Sequence, residues 1–491
     1  MRKRFEQQLI IGATPISETK FPLRSRDELP PVLKALHYIF ITPELNNAVF
    51  SLLEDRITNT KKKTGRTGMD LWQILVLATV RHTLDTNWDR LEHVANYDNL
   101  VRQILGVYTS DYGVQGFEFG YQTIIDNVSL IDEEMLFEIN NVVVKHGQTL
   151  FKKKEKEELE LRLKTDSFAL KTNVHFPTDL NLLWDSVRKC FDMIKKIQEQ
   201  DSTLIGWRKI KELRKLFKAQ FRSTSQQVFK GKNAEQKMAS VKAYLALASQ
   251  MQKRFSEVFS VHASPSILLS LHRYNGYVAK FIDQIERRLL KNEIIPSEEK
   301  MYSIFEQHTE WLNKGKSNPS VELGLNILIT TDQHHFIVDY KVMKGERDAA
   351  QVSPLCIRLA EKYPAIKIAS HSFDKGFYSK ENYATLVASG IINVVMPKKG
   401  KLNKIEAERE GTKEFKKIRN KHSAVESNIN MLEHHGLDRC PDKGYKNFNR
   451  YVGFSVLAYN LHIIGNHLIT KEKEKEKREL IKLARQQKRA A

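Results

Sequence analysis

Alternating strand-forming and helix-forming segments over residues 324–396 constrain the fold more than any other feature of the sequence. The segment "GLNILITTDQHHFIVDYKVMKG" (324–345) has two β-rich runs joined by polar residues, which predicts a β-hairpin. A helix, a strand over 366–370, a second helix and the strand "IINVVMP" follow. Ser379 is a good N-cap for the second helix, and Gly390 is a good stop. This order predicts a mixed α/β fold.

A long helical segment separates this hairpin from an earlier strand. Period-two alternation at Leu161, Leu163 and Thr165 predicts a strand over about 161–174. Residues 178–316 then have helical patterns, and they are too many for an ordinary connection between two strands. We therefore expect a helical domain inserted into the α/β fold.

The residues before the first strand predict an all-helical region. The segments "GMDLWQILVLATVRHTL" (68–84), with Asp70 as a cap, and "NWDRLEHVANYDNLVRQILG" (87–106) have apolar residues at helical spacing. The basic segment "TKKKTGRTG" (60–68) precedes them. The pair could be a DNA-reading helix-turn-helix, but the pattern alone favours a plain helical bundle.

The carboxyl end of the chain predicts two more helices, one over about 414–435 that ends at Gly436 and an apolar one over about 447–469. A charged tail follows, either helical or disordered. The expected organisation is an arm at 1–29, a helical DNA-binding or dimerisation domain at 30–155, an α/β domain split between 156–177 and 318–469, a basic helical insertion at 178–317 and a charged basic tail at 470–491.

The net charge is +20 and the pI is near 9.5, which favours polyanionic partners, nucleic acid first and anionic membrane second. The longest apolar stretches are short or broken by Asn and His, so a membrane role has little support. The basic excess is concentrated at residues 188–233, which hold thirteen Lys/Arg against four Asp/Glu. Five residues there recur at three- and four-residue steps and predict a cationic stripe on one helix face, either solvated or in contact with DNA phosphates: Arg208, Lys211, Lys215, Lys218 and Arg222.

Three carboxylates occupy positions where a metal site is commonly built. Asp166 lies within the first strand, Asp374 directly follows a later strand, and Glu426 belongs to the helix "KHSAVESNINMLEHHG". Mg²⁺ is usually held by a few carboxylate oxygens together with water and substrate phosphate. Each residue also has a purely structural interpretation: a surface strand acid, a turn former and, in Ser423-x-x-Glu426, a capping box. The residues alone leave both interpretations open.

Other common site chemistries have no support in the sequence. Cys190, Cys356 and Cys440 lack C-x-x-C spacing, which is typical of a reducing cytosol and excludes a cysteine-based zinc site. The pairs at 334–335 and 434–435 are histidines without a recognised zinc spacing. Neither a G-x-x-x-x-G-K-[ST] loop nor a G-x-S-x-G elbow occurs, so NTPase and α/β-hydrolase functions are not indicated.

Three sequence blocks resemble, in order, the catalytic blocks of bacterial insertion-sequence transposases of the DDE type. They are "TDSFALKTNVHFPTDLNLLWDSVRKC" (165–190), "SFDKGFYSKENYATL" and "KHSAVESNINMLEHHGLDRCPDKGYKNFNRYVGFSVLAYNLHIIG". The nearest group is the ISNCY-type transposases. The segment "TGRTGMDLWQILVLATVRHTLDTNWDRLEHVAN" resembles the helical domain that opens these proteins, so the resemblance covers most of the chain.

The resemblance implies an RNase H-like catalytic fold, a mixed five-stranded sheet flanked by helices, interrupted by the helical insertion. It assigns Asp166, Asp374 and Glu426 as catalytic residues that bind two Mg²⁺ ions, for which Mn²⁺ can substitute. The implied reactions are cleavage at insertion-sequence ends and strand transfer of the 3′-OH into target DNA. The expected partners are double-stranded DNA with terminal inverted repeats, target DNA and a second copy of the chain. The expected location is the bacterial cytoplasm, at the nucleoid and without a membrane.

Two alternatives remain: an RNase H-like DNA nuclease without strand transfer, and a non-catalytic DNA-binding protein derived from a transposase. Some relatives carry an arginine four residues before the glutamate and a lysine seven after it, where this chain has His422 and Glu433. Besides the stripe of the insertion, the candidate DNA contacts are Lys375, Lys398, Lys399, Arg419, Lys421, His422 and Arg439.

Overall fold

The computed structural model describes residues 2–5, 14–58, 68–107, 117–151, 160–201, 204, 206–258, 263–313 and 320–490. Residues 60–67 of the basic segment that precedes the first predicted helix pair lie outside the described residues. The chain divides into two compact units: unit 1 comprises Met1–Asn173 with Gly324–Ala491, and unit 2 comprises Val174–Leu323. The mixed α/β class and the helical amino-terminal region are confirmed. The domain limits expected from the sequence stay predictions.

Helices form the amino-terminal part of unit 1. They are α1 (Leu29–Ile41), α2 (Pro43–Leu53), α3 (Leu71–Thr83), α4 (Trp88–Tyr97), α5 (Asn99–Ile104), α6 (Tyr121–Val128) and α7 (Glu133–Leu150). Asp70 lies at the N-cap of α3, as predicted. The segment 87–106 forms two helices, because the Asp98 side chain accepts the Val101 N–H and begins α5 one residue after α4 ends.

The first strand, β1 (Glu160–Thr172), follows these helices. Unit 2 then contains α8 (Asp179–Gln200), α9 (Ile210–Lys230), α10 (Ala234–Glu257), α11 (Pro265–Ile285) and the short strand β2 (Glu310–Asn313). The Thr178 and Asn181 side chains form a capping box that begins α8. Large buried side chains on all four helices, among them Phe191, Phe217, Tyr244 and Phe281, give unit 2 its own apolar core.

The remaining strands of the sheet are β3 (Val321–Thr331), β4 (Ile337–Met343), β5 (Lys367–Phe373), β6 (Asn393–Val395) and β7 (Arg439–Cys440). In unit 1 they pair with β1 in the order β4–β3–β1–β5–β6, and β7 pairs with the last residues of β1. β3 runs antiparallel to both β1 and β4, which confirms the predicted hairpin. β5 runs parallel to β1 and β6.

The two faces of β1 belong to different apolar cores, because side chains alternate along a strand. Leu161 and Leu163 pack in a core that includes Phe373 and the amino-terminal helices. Phe168 and Leu170 pack on the other face with Val425 and the carboxyl-terminal helices. We call this second face the α16 face, after the helix that carries Val425.

Six helices follow the hairpin in unit 1: α12 (Val352–Lys362), α13 (Lys380–Ala388), α14 (Lys404–Gly411), α15 (Lys413–His422), α16 (Ala424–Leu432) and α17 (Tyr445–Ala490). The Ser379 side chain caps α13 as predicted. The prediction of one helix over 414–435 is wrong, because the helix is interrupted at Ser423. The Ser423 hydroxyl donates a hydrogen bond to the Asn420 carbonyl oxygen. A π-turn over Glu433–Leu437 follows α16 and contains Gly436 at φ +97°.

Helix α17 extends past the predicted end at 469 to Ala490, so the charged tail is helical. Its apolar half packs against α1, α7 and α3 and approaches α1 closely at Gly465, where an added Cβ would lie 1.7 Å from the Pro31 carbonyl oxygen. Within the described residues, α17 is the one helix long and apolar enough to cross a bilayer, but 78% of its apolar window is buried in the protein. A core helix passes the same test of length and composition.

Candidate functional site

The strand register brings Asp166 and Asp374 to the same end of the sheet. Thr165 pairs with Phe373 in the parallel β1–β5 ladder, and the two aspartates are the next residues on their respective chain segments. Neighbouring strands lie about 4.8 Å apart. The two backbone positions therefore lie side by side, although the residues are far apart in the sequence.

Asp166 is a half-buried residue on the α16 face of β1. Across the antiparallel ladder it pairs with Ile329, whose side chain belongs to the core on that face. One of its carboxylate oxygens accepts the N–H of Ser167 at 2.7 Å. Because alternate residues share a face, Asp166 lies on the same side of the sheet as Phe168 and the helix that packs there.

Asp374 is exposed and directly precedes the short 3₁₀ turn Lys375–Phe377. The turn is closed by the backbone, since the Phe377 N–H donates to the Asp374 carbonyl oxygen at 3.2 Å. The Asp374 side chain makes no capping hydrogen bond to the turn. The turn-forming interpretation of this carboxylate therefore has no support in its contacts.

Glu426 lies in the first turn of α16 and is exposed. The capping-box interpretation of Ser423-x-x-Glu426 is wrong, because the Ser423 side chain caps no backbone N–H of α16. Its neighbour Val425 is fully buried in the core that contains Phe168 of β1. Helix α16 thus packs over the strand that carries Asp166.

His422 fixes the end of α15 against the end of β5. Its Nδ1 lies 2.9 Å from the hydroxyl of Ser372, which is two residues before Asp374. Burial lowers the pKa of His422 to about 4, although the Asp374 charge acts in the opposite direction. The imidazole is therefore neutral at pH 7, and any contact it makes with DNA would be a hydrogen bond and not an ion pair.

The opposite face of the sheet end holds a buried polar network. The Thr165 hydroxyl lies 2.7 Å from both the Thr330 hydroxyl and the Nε2 of His371, so it connects three neighbouring strands. Burial lowers the pKa of His371 to about 3. Hydrogen bonds of this kind fix the register of strands, and here they lie next to Asp166 and Asp374.

Among the described residues, no group of three or more His, Cys, Asp or Glu side chains lies close enough to hold a metal ion. The three carboxylates thus lie on neighbouring elements, β1, the end of β5 and α16, but their side chains do not form a coordination shell. Their chemistry fits Mg²⁺ or Mn²⁺, because both are bound by carboxylate oxygens. Asp374 and Glu426 are exposed, so both can change rotamer at little cost.

The basic candidates of unit 1 differ in their environments. Lys375, Lys399, Arg419, Lys421 and Arg439 are exposed. The Lys398 ammonium group instead lies 2.7 Å from a carboxylate oxygen of Glu406. This contact, together with hydrogen bonds from the Asn403 N–H and the Tyr378 hydroxyl, lowers the pKa of the Glu406 carboxyl to about 2. Lys398 is therefore a poorer candidate for a phosphate contact than its neighbour.

Sequence reasoning missed the cations that line a cavity on the α16 face. Lys164 and Arg162 of β1 and Lys417 of α15 line this cavity together with Lys421. Period two along β1 is the signal that could have found Lys164, since it lies two residues before Asp166 and therefore on the same face.

In unit 2, the predicted stripe forms with one exception. Lys211, Lys215, Lys218 and Arg222 are exposed along α9 at helical spacing. Arg208 lies in the turn before α9, so it is not part of the helix face. This exposure is compatible both with a solvated face and with a face that contacts DNA.

Comparison with protein-family models finds a match for part of the chain. Residues 297–461 match the family model of the transposase DDE domain, a span of roughly a third of the chain that includes Asp374 and Glu426 but not Asp166. No curated protein and no solved structure matches the chain. Residues 297–461 are therefore similar to a transposase DDE domain, which is consistent with the insertion-sequence DDE transposases that the three sequence blocks resemble.

Proposed function

We propose that this protein cleaves DNA at the ends of an insertion sequence and joins the resulting 3′-OH to target DNA. The observation that carries the proposal is the pairing of Thr165 with Phe373, after which Asp166 and Asp374 follow at the same sheet end. The packing of Val425 against the core of β1 brings the first turn of α16, with Glu426, to the same strand.

The catalytic fold in this proposal is RNase H-like. The support is the mixed sheet of unit 1, in which a hairpin lies on one side of β1 and two parallel strands lie on the other. The resemblance implies acids on the first strand, after the fourth strand and on a late helix. In chain order within unit 1, β1, β5 and α16 are these elements.

Asp166, Asp374 and Glu426 would hold two Mg²⁺ ions, or Mn²⁺ in their place. When bound, such ions activate the attacking oxygen and stabilise the leaving oxygen in phosphoryl transfer. The carboxylates act as ligands and not as nucleophiles, so no covalent protein–DNA intermediate is expected. The buried Thr165–His371 contact behind them keeps β1 and β5 in register.

The positive charge of the chain supports double-stranded DNA as substrate, with terminal inverted repeats at the element's ends and a separate target. An excess of +20 gives a field that attracts polyanions. Two ends must be joined in one complex, so the active species is proposed to be a homodimer on DNA. The proposed location is the cytoplasm, at the nucleoid.

Carboxamide substitutions test the assignment of the three acids. Asp166→Asn, Asp374→Asn and Glu426→Gln remove a ligand charge with almost no change in volume, so each should abolish metal-dependent cleavage and joining. Binding of end DNA, measured by fluorescence anisotropy, should stay near the wild-type level. Exposed Glu408 on α14 offers a matched control, and Glu408→Gln should still cleave. Cleavage by any of the three site variants at the wild-type rate would refute the triad.

A strand-transfer assay separates the proposed reaction from its alternatives. End DNA that already carries a free 3′-OH is incubated with supercoiled plasmid and Mg²⁺, and joined products are counted. Joining supports a transposase. Hydrolysis without joining would indicate the RNase H-like nuclease, and DNA binding without either reaction would indicate a non-catalytic derivative.

A further inference from the structure

A cavity of about 680 Å³ lies on the α16 face, beside the three proposed carboxylates but lined by none of them. Its walls come from β1, β5, β6, α15, α16 and the turn between β3 and β4. The volume falls within the range of about 300–1,000 Å³ that is usual for small-molecule sites. The cavity thus has room for one small ligand, or for one nucleotide of a longer chain.

The charge of the cavity selects an anion. Arg162, Lys164, Lys417 and Lys421 line it, against Glu160 and Glu414. Arg162 lies 3.6 Å from Glu160. Over the described part of the chain, Lys417 and Lys421 form no ion pair with a carboxylate, whereas the charge of Asp332 acts on half-buried Lys164. The three lysines belong to two different elements that meet at the cavity, β1 and α15. Converging lysines of this kind are a phosphate-binding arrangement.

The rest of the wall suits a nucleoside. Ile392 and Ile418 supply an apolar surface, and Ile392 is 54% exposed although isoleucine is normally buried. Ser370, Asn393 and Ser427 add hydroxyl and amide groups that donate and accept hydrogen bonds. A bare phosphate would leave this apolar and amide wall unused.

We propose that this cavity binds a nucleoside phosphate, with the phosphate on Lys164, Lys417 and Lys421 and the nucleoside against Ile392 and Ile418. The ligand is either the terminal nucleotide of a DNA strand or a free nucleotide. The strand-terminus source rests on the proposed function, because it requires a DNA end at the neighbouring carboxylates. Binding of a nucleotide as such does not.

Calorimetric titration of the full-length protein with deoxyadenosine monophosphate, in buffer containing EDTA, tests the site without any catalysis. We expect deoxyadenosine monophosphate to bind more tightly than either inorganic phosphate or deoxyadenosine. The double charge reversal Lys417→Glu/Lys421→Glu should weaken binding by about tenfold or more, since charge-assisted contacts are lost. The matched control is Lys413→Glu/Lys416→Glu, which changes the same helix and the same charge at exposed positions outside the cavity, and it should bind like wild type.

Absence of binding by the wild-type protein would overturn the proposal, as would equal weakening by both double variants. Phosphate that binds as tightly as the nucleotide would overturn the nucleoside part. An oligonucleotide with a 3′-terminal 2-aminopurine identifies the source, because the fluorescence of this base changes when the strand terminus binds the cavity. Reversal of that change by added deoxyadenosine monophosphate supports a strand terminus. Nucleotide binding that leaves this signal unchanged supports a free nucleotide. Nucleotide binding that persists when the carboxamide assay fails would remove the proposed function and leave the cavity assignment intact.

Discussion

At the scale of single residues, several buried histidines of unit 1 are neutral in the folded protein, two of them, His371 and His422, near the candidate site. The pKa of His371 is lowered to about 3, and the pKa values of His422 and His435 are lowered to about 4, in each case mainly by burial. The pKa of fully buried His82 is also lowered far below its usual value. A protonated imidazole at these positions would be a charge without water, so the folded state keeps the neutral form.

This predicts a loss of stability in mild acid. The unfolded chain takes up a proton at His371, His422 and His435 near pH 6.5, whereas the folded chain does so only near pH 3 or 4 because their pKa values are lowered. The unfolded state therefore binds more protons in this window, and the free energy of unfolding falls as the pH decreases through it, by about 1.4 kcal/mol per pH unit and histidine at most.

Urea unfolding of wild type and His371→Gln between about pH 6 and pH 5 measures this slope. The substitution should make the pH dependence shallower, whatever its effect on absolute stability. His93→Gln, a change at an exposed histidine of α4, serves as control and should keep the wild-type slope. A His371→Gln slope equal to that of wild type would contradict the prediction.

At the scale of elements, two short helices, α15 and α16, replace the one helix that the sequence predicts, and they contact different strands. α15 packs against β5 and β6, and α16 packs against β1. The interruption at Ser423 therefore separates a helix that contacts the strand preceding Asp374 from a helix that contacts the strand carrying Asp166.

The contact between α1 and α17 depends on Gly465. An added Cβ would lie 1.7 Å from the Pro31 carbonyl oxygen, so Gly465→Ala must displace α1 and should cost about 2 kcal/mol or more. Gly276 in α11 is the matched control, because a Cβ added there would have no neighbouring atom within 4 Å. Gly276→Ala should be neutral or stabilising by up to about 1 kcal/mol, since alanine is the better helix former.

Thermal unfolding followed by circular dichroism compares the two variants. We expect the melting temperature to fall for Gly465→Ala and to stay equal or rise for Gly276→Ala. A Gly465→Ala variant as stable as wild type would show that α1 can move away from α17 without loss.

The α9 stripe should contribute to DNA affinity through phosphate contacts. Lys215→Glu/Lys218→Glu reverses two exposed charges of the stripe, so DNA binding should weaken and the slope of log affinity against log salt should become shallower by about two units. Lys253→Glu reverses an exposed charge on α10 of the same unit and should have a smaller effect. Anisotropy titrations at several salt concentrations provide the slopes. Equal slopes for the wild type and the double variant would indicate that the stripe is only a solvated face.

At the scale of the whole molecule, the proposed reaction needs two copies of the chain. Two ends of one element have to be processed together, and a two-fold complex supplies one catalytic centre for each. Light scattering on complexes with DNA that carries the inverted repeats should therefore give the mass of two protein chains with two ends. A complex of one chain and one end that still joins DNA would contradict the homodimer.

The sequence by itself determined the local structure and the residue types of the candidate site. Apolar alternation predicted β1 and the β3–β4 hairpin, and the capping residues Ser379 and Gly390 predicted the limits of α13, because these signals act over a few neighbouring residues. The three resembling blocks indicated Asp166, Asp374 and Glu426 without any knowledge of their geometry.

Only the tertiary structure decided which of these residues lie together and which cations are available. The register that sets Asp166 beside Asp374, the break at Ser423 and the use of Lys398 by Glu406 become visible only in the folded chain. Local sequence patterns carry little information about contacts between distant segments. The same reason explains why Lys417 was missed: a cavity exists only once a strand and a helix from different parts of the chain have packed together.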